Sequence, residues 1–103
     1  MDVQLKKGIL EICVLQAISR EESYGYKIIS DLSGVVELSE STLYPILKRC
    51  EAAGYLTTHT KEYSGRLRRY YKITKQGLQR LAAGKNDLLE IGFIYKKLFG
   101  GRL

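Results

Sequence analysis

Residues 39–74 read SESTLYPILKRCEAAG and then, without a break, YLTTHTKEYSGRLRRYYKIT, and the change of pattern between the two halves decides the fold. In the first half Leu43, Ile46, Leu47 and Cys50 recur at the i, i+3, i+4, i+7 spacing that puts apolar groups on one side of a helix. Ser39 or Ser41 can cap its start and Gly54 supplies its stop, which predicts a helix over about 40–53. Pro45 lies near its beginning, where a missing backbone donor tightens or kinks the first turn. The second half is rich in β-branched and aromatic residues, and Ser64-Gly65 between its two runs is a hairpin turn, because glycine accepts the positive φ such turns need. The expectation is a two-stranded β-hairpin over about 55–74.

Upstream, a helix is expected over about 3–19. Leu5, Ile9, Ile12, Cys13, Gln16 and Ala17 share one face, and Leu10, Val14, Leu15 and Ile18 widen the stripe. A helix apolar over so much of its circumference is buried on more than one side. In a small chain, the second partner is another subunit, met by Leu5 and Ile9. Ser23 reads as the N-cap of a short amphipathic helix over about 24–32, built on Gly25, Ile28, Ile29 and Leu32 and stopped by Gly34. Downstream, Thr74 caps a long final helix over about 75–100. Its Leu78, Leu81, Leu88, Tyr95 and Phe99 follow an approximate heptad that Lys85 and Gly92 interrupt. That helix outruns any core the rest could offer, so these five side chains are expected to dimerise.

A chain of 103 residues holds one modest core and no separate catalytic domain. A hydrophobic fraction of 45% with a single proline is that of a folded globular protein. The formal charge of +6 favours a polyanionic partner. The longest apolar stretch, from Gly8 to Ile18, contains Glu11 and Gln16 and falls short of the roughly 20 residues a membrane span needs. It follows basic residues as a signal peptide would, yet no small-residue cleavage site comes after it. A cytoplasmic protein without a membrane partner is therefore expected. Cys13 and Cys50 sit inside apolar helical patterns with no His or Cys neighbours, which fits buried free thiols and not a zinc site.

Helix, helix, helix, hairpin, helix is the order of a winged helix-turn-helix: mainly α with a two-stranded β-hairpin, residues 1–75 binding DNA and residues 75–100 forming the dimer. Its third helix can enter a major groove about 12 Å wide. With Leu43, Leu47 and Cys50 turned inward, Ser41, Thr42, Tyr44, Pro45, Lys48 and Arg49 point outward as the groups that meet phosphates and base edges. Around the hairpin, Lys61, Arg66, Arg68, Arg69, Lys72 and Lys75 are opposed locally by Glu62 alone. A basic tip can rest on phosphates or enter the minor groove, with Arg66 at the tip and Arg68 supporting it.

Three blocks carry a family likeness: Tyr24-Gly25-Tyr26-Lys27-Ile28, then Thr42-Leu43-Tyr44-Pro45-Ile46-Leu47-Lys48-Arg49, then Gly65-Arg66 followed by Arg69-Tyr70-Tyr71-Lys72-Ile73-Thr74. With these the chain resembles PadR-like transcriptional regulators over roughly residues 8–82. The resemblance implies a homodimer in which the last helix packs on the partner's helices, including the first, and presents two recognition helices to a palindromic DNA operator, usually for repression. It implies that Thr42, Tyr44 and Lys48 contact DNA from the recognition helix, that Tyr24 and Tyr26 lie near the DNA backbone, and that Arg66 lies in the wing. Leu67 stands where a proline often follows the wing Gly-Arg, Ser41 where glycine is common, and Cys50 where leucine is usual. Relatives that bind a small-molecule effector at the dimer interface often hold it against a tryptophan, and this chain has none.

The alternatives are a small-molecule sensor or a winged-helix protein-interaction module with little DNA binding of its own. The outward cations argue against the module. His59, the sole histidine, shows no nucleophile or carboxylate held beside it in a pocket and is expected to play a simple strand role. No phosphate loop, nucleophile elbow, paired-carboxylate spacing or metal-ligand cluster is present in the sequence, so no catalytic residue, cofactor or metal is assigned. Tyr44, on a polar helix side with little intramolecular work, is expected to serve a partner, whereas Tyr70 and Tyr71 are expected to pack the hairpin.

Overall fold

The computed structural model describes residues 1–101. The elements run α1 (Val3–Ile18), α2 (Gly25–Leu32), α3 (Glu40–Ala52), β1 (Leu56–Tyr63), β2 (Arg66–Ile73) and α4 (Lys75–Phe99). Asp2 opens α1 by accepting the Leu5 N–H at 3.0 Å. The face that α1 turns inward is Leu10, Val14, Leu15 and Ile18, with Ile12 beside them. This reverses the expected emphasis: Ile9, Cys13 and Ala17 are only half-buried, and Leu5 and Gln16 are exposed. On a helix apolar nearly all round, spacing alone does not say which side meets the protomer's own core.

Ser23 does not cap α2. Tyr24 holds the N-cap position without a side-chain bond. The Ser23 backbone instead pairs with β2, its N–H donating to the Tyr71 carbonyl at 3.0 Å and its carbonyl accepting the Tyr71 N–H at 2.8 Å. These bonds add a one-residue third strand to the hairpin and turn the side chain into the core. Nor does Gly34 stop α2 by a left-handed residue. The helix ends at Leu32, and the N–H groups of Val35 and Val36 both donate to the Leu32 carbonyl at 2.9 and 3.0 Å.

In α3, Ser39 takes the cap, its Oγ accepting the Thr42 N–H at 3.3 Å. Pro45 lies past the first turn, so the donor it lacks is the one that would have met the Ser41 carbonyl. Leu43, Ile46, Leu47 and Cys50 are buried. Gly54, at φ 83°, turns the chain out of the helix as expected. The hairpin then closes through Ser64 at φ 48° and Gly65 at φ 77°, the two positive angles of a type I′ turn, in a register running from Leu56↔Ile73 to Tyr63↔Arg66. Its base is buried at Leu56 and Tyr71, and its tip stands in solvent.

Thr74 both caps and ties. Its Oγ1 accepts the Gly77 N–H at 3.0 Å and donates to the Gly54 carbonyl at 2.6 Å, fixing the start of α4 against the end of α3. Gly77, Leu81 and Gly84 then face inward, and a Cβ on Gly84 would lie 2.5 Å from Ile12 Cγ1. The expected dimerisation set needs correction here. Leu81, only 6% exposed, is part of the protomer's own core, and Leu88 is half-buried against it. The middle of the heptad stripe, Leu81 and Leu88, packs on the protomer's own core, and its two ends are free. Leu78, Tyr95 and Phe99 are exposed, together with Leu89, Ile91, Phe93, Ile94 and Leu98. Among the described residues no helix is long and apolar enough to cross a membrane.

Candidate nucleic-acid interface

The buried groups of α3 define its opposite side. With Leu43, Ile46, Leu47 and Cys50 in the core, Ser41, Thr42, Tyr44, Pro45, Lys48 and Arg49 are all exposed. At 100° per residue, Ser41, Pro45 and Lys48 stand on the outermost line, Tyr44 leans toward the hairpin, and Thr42 and Arg49 lean toward α1. A groove runs along each flank. The one on the hairpin side holds about 620 Å³, and Tyr24, Tyr26, Tyr44, Tyr63, Arg66 and Arg68 are among the residues lining it. The one on the other side holds about 370 Å³ between the start of α1 and α3, lined by Val3, Lys6, Lys7 and Leu10 from α1 and Thr42, Pro45, Ile46 and Arg49 from α3.

Hairpin arginines differ in how free they are. Arg68 is sandwiched, its guanidinium carbon 3.9 Å from the ring centroids of both Tyr24 and Tyr63. Two cation–π contacts of about 0.5–1 kcal/mol each fix its position and bind the hairpin to the start of α2. Among the described residues Arg66 has no such partner, and it stands exposed beside the turn. Tyr70 is half-buried, stacked on His59 at 5.7 Å with 14° between the rings and edge-on to Tyr24 at 5.6 Å. Both Tyr70 and Tyr71 thus pack as expected.

Tyr44 does intramolecular work that its sequence position concealed. A Cβ on Gly25 would lie 2.6 Å from the Tyr44 hydroxyl, so the ring tip rests on the backbone at the start of α2. Gly25 is therefore needed for close approach and not for a left-handed φ. Glu22 was also missed. Its carboxylate accepts from Lys61 Nζ at 2.5 Å and lies 3.4 Å from His59 Nε2. The Lys61 hydrogen bond holds the Glu22 carboxyl below its ordinary range and raises the Lys61 ammonium. Part of the hairpin charge is thereby neutralised from the α1–α2 loop, 39 residues away in sequence. No local pattern announces such a pair.

Behind α3, Glu11 joins three helices, accepting from Cys50 Sγ at 3.6 Å and from Arg80 Nη2 at 3.5 Å. Burial, together with the Glu11 charge and hydrogen bond, pushes the Cys50 thiol up to about 12. The thiol stays protonated and unreactive, a packing group beneath the exposed face. Cys13 is likewise raised by burial.

Proteins similar to this chain include transcriptional regulators. The transcriptional regulator Rv3488 of Mycobacterium tuberculosis is 28% identical over 100 residues, spanning 96% of this chain and 91% of that protein. The solved structure of a PadR-like transcriptional regulator from Bacillus cereus superposes with a TM-score of 0.81 at 35% identity, covering 96% of this chain and 99% of that one. A transcriptional regulator from Clostridium thermocellum shares the fold at a TM-score of 0.84 and 23% identity, over 93% of this chain and 98% of that one. Residues 14–83 match the transcriptional regulator PadR-like family, and the chain belongs to that family.

Proposed function

We propose that this protein is a cytoplasmic homodimeric repressor that binds a palindromic DNA operator. The observation that carries the reading is the exposed side of α3, where Ser41, Pro45 and Lys48 stand between grooves whose walls carry arginine, lysine and tyrosine. An α-helix with that outline fits a major groove about 12 Å wide, with its short polar and cationic groups at base edges. Tyrosine hydroxyls and Arg66 on the hairpin flank suit phosphate oxygens, which position the protein without reading sequence. Exposed apolar side chains along the second half of α4, beside Leu5 and Ile9 of α1, suit a second copy of the chain. Two copies related by a two-fold axis present two reading helices to a symmetric site. Occupancy of such a site across a promoter blocks transcription.

Fluorescence anisotropy over a salt series, with labelled duplex from the gene's own upstream region and a scrambled duplex, tests this. Tight, salt-dependent binding that prefers the upstream duplex is expected. Lys48→Ala should lose that preference. Arg66→Ala should weaken both duplexes alike and lower the salt slope by about 0.9 per bound protomer. Equal, weak binding of both duplexes by the unaltered chain would overturn the operator reading.

A further inference from the structure

The groove between α1 and α3 has chemistry that its partner on the hairpin side does not. Val3, Leu10, Pro45 and Ile46 provide apolar walls, and the cations Lys6, Lys7 and Arg49 stand exposed around it. The acidic residues nearest in sequence are engaged elsewhere: Asp2 caps α1, Glu11 accepts from Cys50 and Arg80, and Glu51 accepts from Thr58. No ion pair involves Lys6, Lys7 or Arg49 among the described residues, whereas Lys61 and Lys27 are both paired. The three cations lie on the α1 flank of α3, and Tyr24, Tyr26, Arg66 and Arg69 lie on its hairpin flank.

A helix lying in a major groove has a phosphate strand on each side of it. One strand would pass the hairpin flank. We infer that Lys6 and Lys7 at the start of α1, with Arg49 of α3, form a second phosphate rail that holds the opposite strand, so that α3 is clamped from both sides. This rests on the DNA-binding reading above and extends it to α1, an element that reading assigns only to the core and the dimer. The apolar walls keep the lysine stems extended along protein surface, which leaves the ammonium groups at the rim where a phosphate can reach them. The rail neutralises charge without contacting bases, so it adds affinity and no sequence preference.

The test is the Lys6→Ala/Lys7→Ala variant, measured against a random-sequence duplex and the upstream duplex over a salt series. Lys85→Ala, a charge removed from the exposed side of α4, serves as the control. Both lysines are exposed, so circular dichroism and the melting midpoint should match those of the unaltered chain. The double variant should weaken on both duplexes by the same factor. Its log–log salt slope should fall by about 1.8 per bound protomer, two contacts at about 0.9 each. Lys85→Ala should leave the slope where it was. A double variant whose slope equals that of the unaltered chain overturns the rail while leaving the regulator reading intact. A fall in slope as large for Lys85→Ala also overturns it, because the effect would then be one of net charge and not of place. Salt-independent binding by the unaltered chain would overturn both readings.

Discussion

Ser23 has a hydroxyl that is fully buried and lacks a hydrogen-bond partner among the described residues, while its backbone is held to Tyr71 by two hydrogen bonds. An N-cap serine would lose about 1 kcal/mol on truncation to alanine. A buried unsatisfied hydroxyl loses nothing and can gain, because its desolvation is uncompensated. Ser23→Ala should therefore leave the urea midpoint unchanged or raise it, and a loss of 1 kcal/mol or more would restore the capping role. Gly25→Ala tests the Tyr44 contact. Its Cβ meets the tip of a mobile side chain, so stability should change by less than about 1 kcal/mol. Tyr44 must move away, so affinity for the upstream duplex should fall severalfold in the same anisotropy assay. Cys50 provides a pH dependence. Its thiol sits at about 12 in the fold against 9.0 ordinarily, so the folded state retains the proton that the unfolded chain releases first. This stabilisation is complete below pH 9 and is lost as pH rises toward 12. Denaturant midpoints should decline over that window, and less steeply in Cys50→Ala.

At the scale of elements, the approach of α4 to α1 is set by Gly84 against Ile12. Alanine at 84 would gain about 1 kcal/mol of helix propensity on an open surface. Here its Cβ would stand 2.5 Å from Ile12 Cγ1 and 2.9 Å from Cδ1, and overpacking of this kind costs about 1–3 kcal/mol. Gly84→Ala should therefore destabilise the native chain, yet be neutral or stabilising in an Ile12→Ala background. Thermal unfolding of the four proteins in this cycle measures the difference, and equal effects in both backgrounds would show that the contact is not limiting. The hairpin, the end of α3 and the start of α4 were legible because they rest on local rules, Gly54 and Thr74 at the helix ends and Ser64-Gly65 at the tip, whereas both ends of α2 were misread at Ser23 and Gly34. The inward side of α1 was not legible, because neighbours from α2, α3 and α4 decide which part of an almost wholly apolar surface is covered.

For the molecule as a whole, the radius of gyration is 15.1 Å, against about 13 Å for a compact domain of this length. The longest dimension, 54 Å, exceeds the others by a factor of two, because α4 extends past the core. Its overhang is apolar on several sides, with Leu98 71% exposed. Exposed apolar surface of this kind marks an interaction site, which suits the second copy proposed above. Leu88→Asp would confuse association with folding, since Leu88 packs on the protomer's own core. Leu98→Asp separates the two. Sedimentation should give a dimer for the unaltered chain and a folded monomer for this variant, and a dimeric Leu98→Asp protein would place the interface elsewhere. The melting temperature of the unaltered chain should rise with its concentration and that of the variant should not.

What the amino-acid order determined by itself was the succession of elements, the polar side of α3 and the basic hairpin. Each follows from spacing, caps and turn residues that act within a few positions of one another. Only the tertiary structure decided that Ser23 belongs to the sheet, that Leu81 belongs to the core, that Glu22 neutralises Lys61, and that Lys6 and Lys7 stand beside α3. Those relations join residues far apart in the chain, and they exist only once packing has placed one helix against another.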